Sequence, residues 1–228
     1  MYRIIQNTVL AAGLLALQPV MAGSISGVVR AQGKEGAEDA AGAGNYSSKA
    51  LKTAERINYD DMRDFVVYIK GPVAGAKVAR PTEEVRQKNA AFVPHVLPIM
   101  IGTKVEFPND DNIFHNVFSK SDARPFDLGL YKKGDPPHQV TFTNLGEVDV
   151  FCSIHARMSC IILVLENPCF AVTDSHGRYT IPNVPPGSYT LVAWQERLPE
   201  DSMVITVPEE GDRTGINFTL GPKNLPKY

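Results

Sequence analysis

The chain has little cysteine, no excess of positive charge and no long apolar run. Three cysteines in 228 residues are too few for a disulfide-stapled scaffold, and the number is odd. The formal net charge is −2, so no basic surface points to nucleic acid. The apolar run at residues 8–17 (TVLAAGLLAL) has ten residues, too few to span a bilayer, and no other stretch is long enough. What the chain does have is 43% hydrophobic against 21% charged residues, with 18 Gly and 17 Pro. That is enough apolar material for a core, with punctuation that favours short strands over long helices.

Residues 1–22 read as a secretory signal: Arg3 supplies the positive end, residues 8–17 the apolar centre, and Val20-Met21-Ala22 a cleavage site after Ala22. No cysteine follows the cut to carry a lipid. The mature protein is therefore expected in the periplasm, with no membrane span. Residues 24–30 and 64–70 read as strands, with a flexible insertion at 31–63 between them and a weak helical pattern over 50–63. Alternation of polar and apolar residues marks further strands at 104–107, 139–143 and 148–152. Residues 161–165 (IILVL) do not alternate, so that strand is expected to be buried on both faces, at a seam between two units. Turn signals every eight to twelve residues then continue to residue 220. The fold class is all-β, with sandwiches.

Chemistry concentrates at Cys152-x2-His155-x2-Met158, on a short loop after a strand, with His115 opening a strand 37 residues before Cys152. Taken singly, each residue has a bland alternative: Cys152 a buried thiol, His115 a satisfied core histidine, Met158 a packing side chain. Together, two imidazoles, a thiolate and a thioether suit copper in both oxidation states, since sulfur favours Cu(I) and imidazole Cu(II). Three donors on one loop can converge on a point, and a fourth from a neighbouring strand would clamp it across the sandwich. His95 reads as structural or surface, His138 as exposed and His176 as a turn residue. Cys160 and Cys169 are nine apart across an extended segment, beyond the roughly 7 Å that a disulfide allows between Cα atoms. Both are expected free and buried.

Residues 92–165 resemble the plastocyanin/azurin family of blue-copper proteins, the cupredoxins. The resemblance lies in FVP at 92–94, GTKVEFPNDD at 102–111, HNVF at 115–118, VTFTNLGEVDVFCSIH at 140–155 and Met158. The short gap before Met158 is similar to amicyanin's. The wider chain, with FDLGLY at 126–131 and VPPGSYTL at 184–191, looks like periplasmic proteins of the methylamine-utilisation type. The resemblance implies one type 1 copper held by His115, Cys152, His155 and Met158. It implies Asn116 as a tie between the histidine strand and the cysteine loop, and His155 as the ligand at the solvent edge. Arg157, inside the ligand loop, departs from the family's apolar surface there.

Residues 170–220 resemble a carboxypeptidase-regulatory-like, or transthyretin-like, β-sandwich whose first two strands are absent after residue 168 but present at 24–30 and 64–70. The expected organisation is a signal peptide at 1–22, the first strands of that sandwich within 23–75, a cupredoxin at 76–168, the rest of the sandwich at 169–221 and a tail at 222–228. The expected function is single-electron transfer between a periplasmic redox enzyme or cytochrome and its partner, without catalysis of its own. Copper handling, or a structural envelope role, is the alternative.

Overall fold

The structure, a computed structural model, describes residues 22–33, 58–76 and 82–221. The expected signal up to residue 21, most of the insertion at 34–57 and the tail at 222–228 lie outside the described residues. In chain order, β1 (Gly23–Ala31) and β2 (Val66–Lys70) come first. They are followed by β3 (Thr82–Glu84), β4 (Arg86–Lys88), β5 (Ala91–Val93), β6 (Val96–Met100), β7 (Lys104–Phe107), β8 (His115–Ser119) and β9 (Phe126–Tyr131). Then come β10 (His138–Thr141), β11 (Gly146–Phe151), β12 (Ser159–Leu165), β13 (Phe170–Val172), β14 (Arg178–Val184), β15 (Gly187–Gln195), β16 (Leu198–Val207) and β17 (Phe218–Leu220). The protein is all-β. Of the helix expected over 50–63, the described part is only a 3-10 turn, Tyr59–Asp61, capped by the Asn58 side chain.

Strands β3 to β12 build one sandwich. Its sheets run β10-β7-β3 and β6-β12-β11-β8-β9, with β4 and β5 as a hairpin at its side. Period two decides which side chains enter: Val105 and Phe107 of β7 are buried while Lys104 is exposed. They meet Val117, Val148, Val150, Ile162 and Val164 from the facing sheet in one core. The hairpin turns through Asn89 and Ala90, both left-handed with φ near 56° and 54°, as a tight two-residue turn requires.

The two ends of the chain meet in a second pair of sheets, β14-β1-β17 and β13-β2-β15-β16. Strand β1 pairs with β14 and β17, and β2 with β13 and β15. Ile25, Val29, Val67, Ile69, Ile181 and Leu191 share its core, and Tyr59 and Met62 pack against it.

The two cores are joined by β12. Its Cys160, Ile162 and Val164 belong to the first core. Its Ile161, Leu163 and Leu165 face the other way and cluster with Val66 of β2, Val96 of β6 and Trp194 of β15. That two-sided burial is why the strand does not alternate. Leu163→Ala removes seam packing that the surroundings can only partly refill. It is expected to cost about 2–5 kcal/mol in denaturant unfolding. The transition can be followed at Trp194, the chain's one tryptophan, whose emission should shift to the red in the folded variant.

Candidate metal centre

The centre forms where β8 begins and β11 ends. These strands are antiparallel neighbours in one sheet, paired at Phe151↔Phe118, so Cys152, just past β11, comes to lie beside the start of β8. The clamp by His115 therefore runs within a sheet and not across the sandwich. The loop from Cys152 closes on itself: Met158 N–H donates to His155 O at 3.0 Å, and Cys152 N–H to Met158 O at 3.1 Å. The chain then enters β12, which the seam holds.

His115 is fully buried. Its Nδ1 lies 3.0 Å from Nδ1 of His155, and His155 Nδ1 lies 3.5 Å from Cys152 Sγ. All three donor atoms fall within 4.8 Å of one another, and among the described residues this is the only such group of three or more. A single transition-metal ion takes donors about 2.0–2.3 Å away, and two imidazoles with a thiolate are the donor types such an ion accepts, so this group could hold one after a small closure. Met158 is buried in the same core as Cys152. His155 is half-buried, at the edge.

Asn116 does connect the histidine strand to the cysteine, but through its main chain: its N–H donates to Cys152 Sγ at 3.4 Å. The side chain serves the next strand instead. Its amide donates to Asp127 Oδ1 at 2.7 Å and to Gly129 O at 3.1 Å, both in β9.

One group escaped the sequence pattern. Asp111 lies four residues before His115, and its Oδ2 stands 2.8 Å from His115 Nε2. Burial pushes its carboxyl up, but the Ala90 N–H, the His115 ring and the Asn89 N–H outweigh that and hold it below the usual carboxylate range. Its neighbour Asp110 faces away and takes Arg86 bidentately, at 2.9 and 2.8 Å. An i,i+4 acid before a histidine is the only sequence signal that could have singled Asp111 out.

The remaining candidates sort by their partners. His95 lies outside the donor group: Nε2 is 3.0 Å from Glu196 Oε2 and Nδ1 is 3.2 Å from Ser159 O. His138 is exposed and packs at a tilt against Tyr131, and His176 sits in the Asp174 turn. Cys160 and Cys169 are free and buried. Burial pushes both thiols up, with Asp149 adding to the effect at Cys160, so neither is a ready thiolate.

Residues 170–215 match the family described as polysaccharide lyase family 4, domain II. No curated protein matches the chain. Among solved structures, the Cu-containing nitrite reductase of Thermus scotoductus SA-01 is similar at 35% identity over 42% of this chain, with a TM-score of 0.36; the chain spans a quarter (25%) of that enzyme's length. A methionine-to-alanine mutant of amicyanin in its Cu(I) form is similar at 21% identity over 43% of this chain and 97% of its own, with a TM-score of 0.34. The purple cupredoxin of Nitrosopumilus maritimus is similar at 22% identity over 36% of this chain and 98% of its own, with a TM-score of 0.32.

Asn116→Ala leaves the main-chain N–H on Cys152 but strips two acceptors on β9. The expected result is a loss of about 1–3 kcal/mol in stability, read by urea unfolding, with little change in any metal–thiolate absorption.

Proposed function

We infer that the chain is an exported type 1 copper protein that carries single electrons between periplasmic redox partners. The observation that carries this is the convergence of two imidazole Nδ1 atoms and one thiol on a point beneath a closed loop. Copper bound there supplies a one-electron couple whose two states both accept this mixed nitrogen and sulfur set. The protein's own part is to hold the donors still. His115 is fixed by complete burial, Cys152 receives the Asn116 N–H, and the loop that bears Cys152, His155 and Met158 is closed by its own backbone bonds. Met158, buried against the same core, is placed to be the weak fourth ligand. A site that cannot rearrange between oxidation states keeps the cost of electron transfer low.

Electrons would pass at the His155 edge. Beside it in sequence Ile154 is 52% exposed, and Ile113 and Phe114, just before His115, are each 49% exposed. Such side chains offer a dry contact for a redox enzyme or cytochrome. Lys132, whose Nζ lies 5.3 Å from the centroid of the Phe114 ring, and Arg157 add positive charge that favours an acidic partner.

The same reading includes a signal cleaved after Ala22 and a cupredoxin inserted between β2 and β13 of a transthyretin-like sandwich, in a protein of the methylamine-utilisation type. The pairing of β1 and β2 with strands from the C-terminal end supports the insertion. The second sandwich then acts as a scaffold or docking module. A copper-handling role fits less well, because Cys152 and Met158 are 6% and 1% exposed and a donor that hands copper on needs access. Catalysis on copper needs an open coordination position, and His95, the one further candidate, is occupied by Glu196 and Ser159.

Adding Cu(II) to the purified mature chain should give an intense blue thiolate-to-copper band, with the narrow copper hyperfine splitting of such sites in electron paramagnetic resonance. Cys152→Ser should abolish the band. A colourless or tetragonal centre in the wild type would sink this reading.

A further inference from the structure

We propose that Asp111 is a positioning residue for the metal centre: its carboxylate holds His115 as the Nε2–H tautomer, so that Nδ1 presents its lone pair to the space it shares with Cys152 Sγ and His155 Nδ1 and donates more strongly to an oxidised ion. The inference rests on the copper reading above for its second half only.

The geometry is a relay of three layers. Outermost is the β4–β5 hairpin, where Asn89 and Ala90 are both left-handed. That conformation turns two successive N–H groups the same way. Asn89 N–H donates to Asp111 Oδ1 at 2.8 Å and Ala90 N–H to Oδ2 at 2.9 Å. The main chain of Asp111 is pinned as well: its N–H donates to Asn109 Oδ1 at 2.8 Å, and its carbonyl accepts from Lys133 N–H at 3.1 Å. Asp111 is thus held at both oxygens and at both backbone groups, with its side chain only 15% exposed. Innermost is His115, with no solvent contact, whose Nε2 meets Oδ2 at 2.8 Å.

A carboxylate has no proton to give, so in this contact the imidazole donates. The proton then sits on Nε2, and Nδ1 is left as the acceptor, 3.0 Å from His155 Nδ1. A buried ring without this partner could place its proton on either nitrogen. A full negative charge behind the ring also raises its basicity, as carboxylate partners of metal-bound histidines do. Extra electron donation stabilises Cu(II) more than Cu(I), so the charge lowers the reduction potential. The strained turn at Ala90 thereby has a function. Alanine is disfavoured at positive φ, and the strained residue is one that supplies an N–H to the carboxylate.

Two variants of the full mature chain separate hydrogen bond from charge. Asp111→Asn keeps an oxygen for the Nε2–H but removes the charge; Asp111→Ala removes both. In the metal-free protein, nitrogen NMR of the His115 ring should show Nε2–H in the wild type and in Asp111→Asn. Asp111→Ala should show Nδ1–H or a mixture. With copper bound, both variants should lose Cu(II) affinity by about tenfold or more with Cu(I) affinity nearly unchanged. A tenfold selective loss raises a one-electron potential by about 59 mV. An unchanged potential in Asp111→Asn, or an unchanged tautomer in Asp111→Ala, would overturn the proposal. Because the tautomer is read without metal, a wild type that forms no blue centre defeats the functional reading and leaves the Asp111 test intact.

Discussion

Strand β12 has no face left for water, and the rest of the molecule is arranged around that constraint. Ile162 and Val164 close one core while Ile161, Leu163 and Leu165 close the seam with Val66 and Trp194. A strand of seven residues, buried on both sides and paired along its length with β11 and with β6, cannot shift register by one without exchanging its two apolar faces. The loop that bears Cys152, His155 and Met158 ends on the residue before this strand. Met158 is therefore tied to an element held from two directions, and Cys152 leaves the neighbouring strand in the same sheet. The loop between them is short enough that two fixed ends fix its middle. The second sandwich thus contributes to the centre at a distance, through packing and not through any ligand of its own.

Polar contacts finish what packing begins. Asn109 donates to Ile113 O at 3.2 Å and to Tyr131 O at 2.9 Å, and accepts Asp111 N–H. One side chain so spans the loop that leads into β8. Gln87 of β4 donates to Phe107 O and to the Tyr131 hydroxyl, which itself donates to Phe107 O. The hairpin, the β7 end and the β9 end are locked together behind His115. Buried polar groups of this kind stabilise little net but make alternative arrangements costly, since each broken bond leaves an unpaired group out of reach of water. Arg86 with Asp110 lies on the rim of the same region and, being exposed, adds less.

Much of this was legible in the sequence, where periodicity and donor spacing were strong. The IILVL run announced two-sided burial, and KVEF announced which face of β7 points inward. Cys152, His155 and His115 were selected by chemistry and spacing, and the structure brings their donor atoms together. Strands β3, β4 and β5 were not legible, because three residues are too few to display a period. Strand β9 was missed although Phe126, Leu128 and Leu130 alternate with Asp127 and Gly129: a glycine at positive φ in its middle reads as a turn, and at the sheet edge Leu130 is left 58% exposed. Placing His115 across the sandwich from the cysteine loop failed because sequence separation says nothing about strand order within a sheet. Asn116 was noticed for the connection it makes, but the atom that makes it, the main-chain N–H, carries no signature in the residue's identity.

Asp110 and Asp111 show the limit most sharply. They are adjacent, chemically identical and equally acidic on paper. One is at the surface with an arginine; the other reaches a buried imidazole. What separates them is the direction in which the backbone presents each side chain, and that is set by the β4–β5 hairpin, a strand pair the sequence did not reveal. The same hairpin supplies Arg86 to the first aspartate and two N–H groups to the second, so each acid is fixed by a partner on the element it faces. The two histidines differ by the same logic. His115 has a carboxylate at its Nε2 and is fully buried, while His155 is half-buried, and its ring's only hydrogen-bond contacts among the described residues, to His115 and Cys152, are made through Nδ1. One ring is held rigidly at the back of the centre and the other is left at its accessible edge. A donor set with that asymmetry has a direction built into it: firmness on the inside and exposure on the outside.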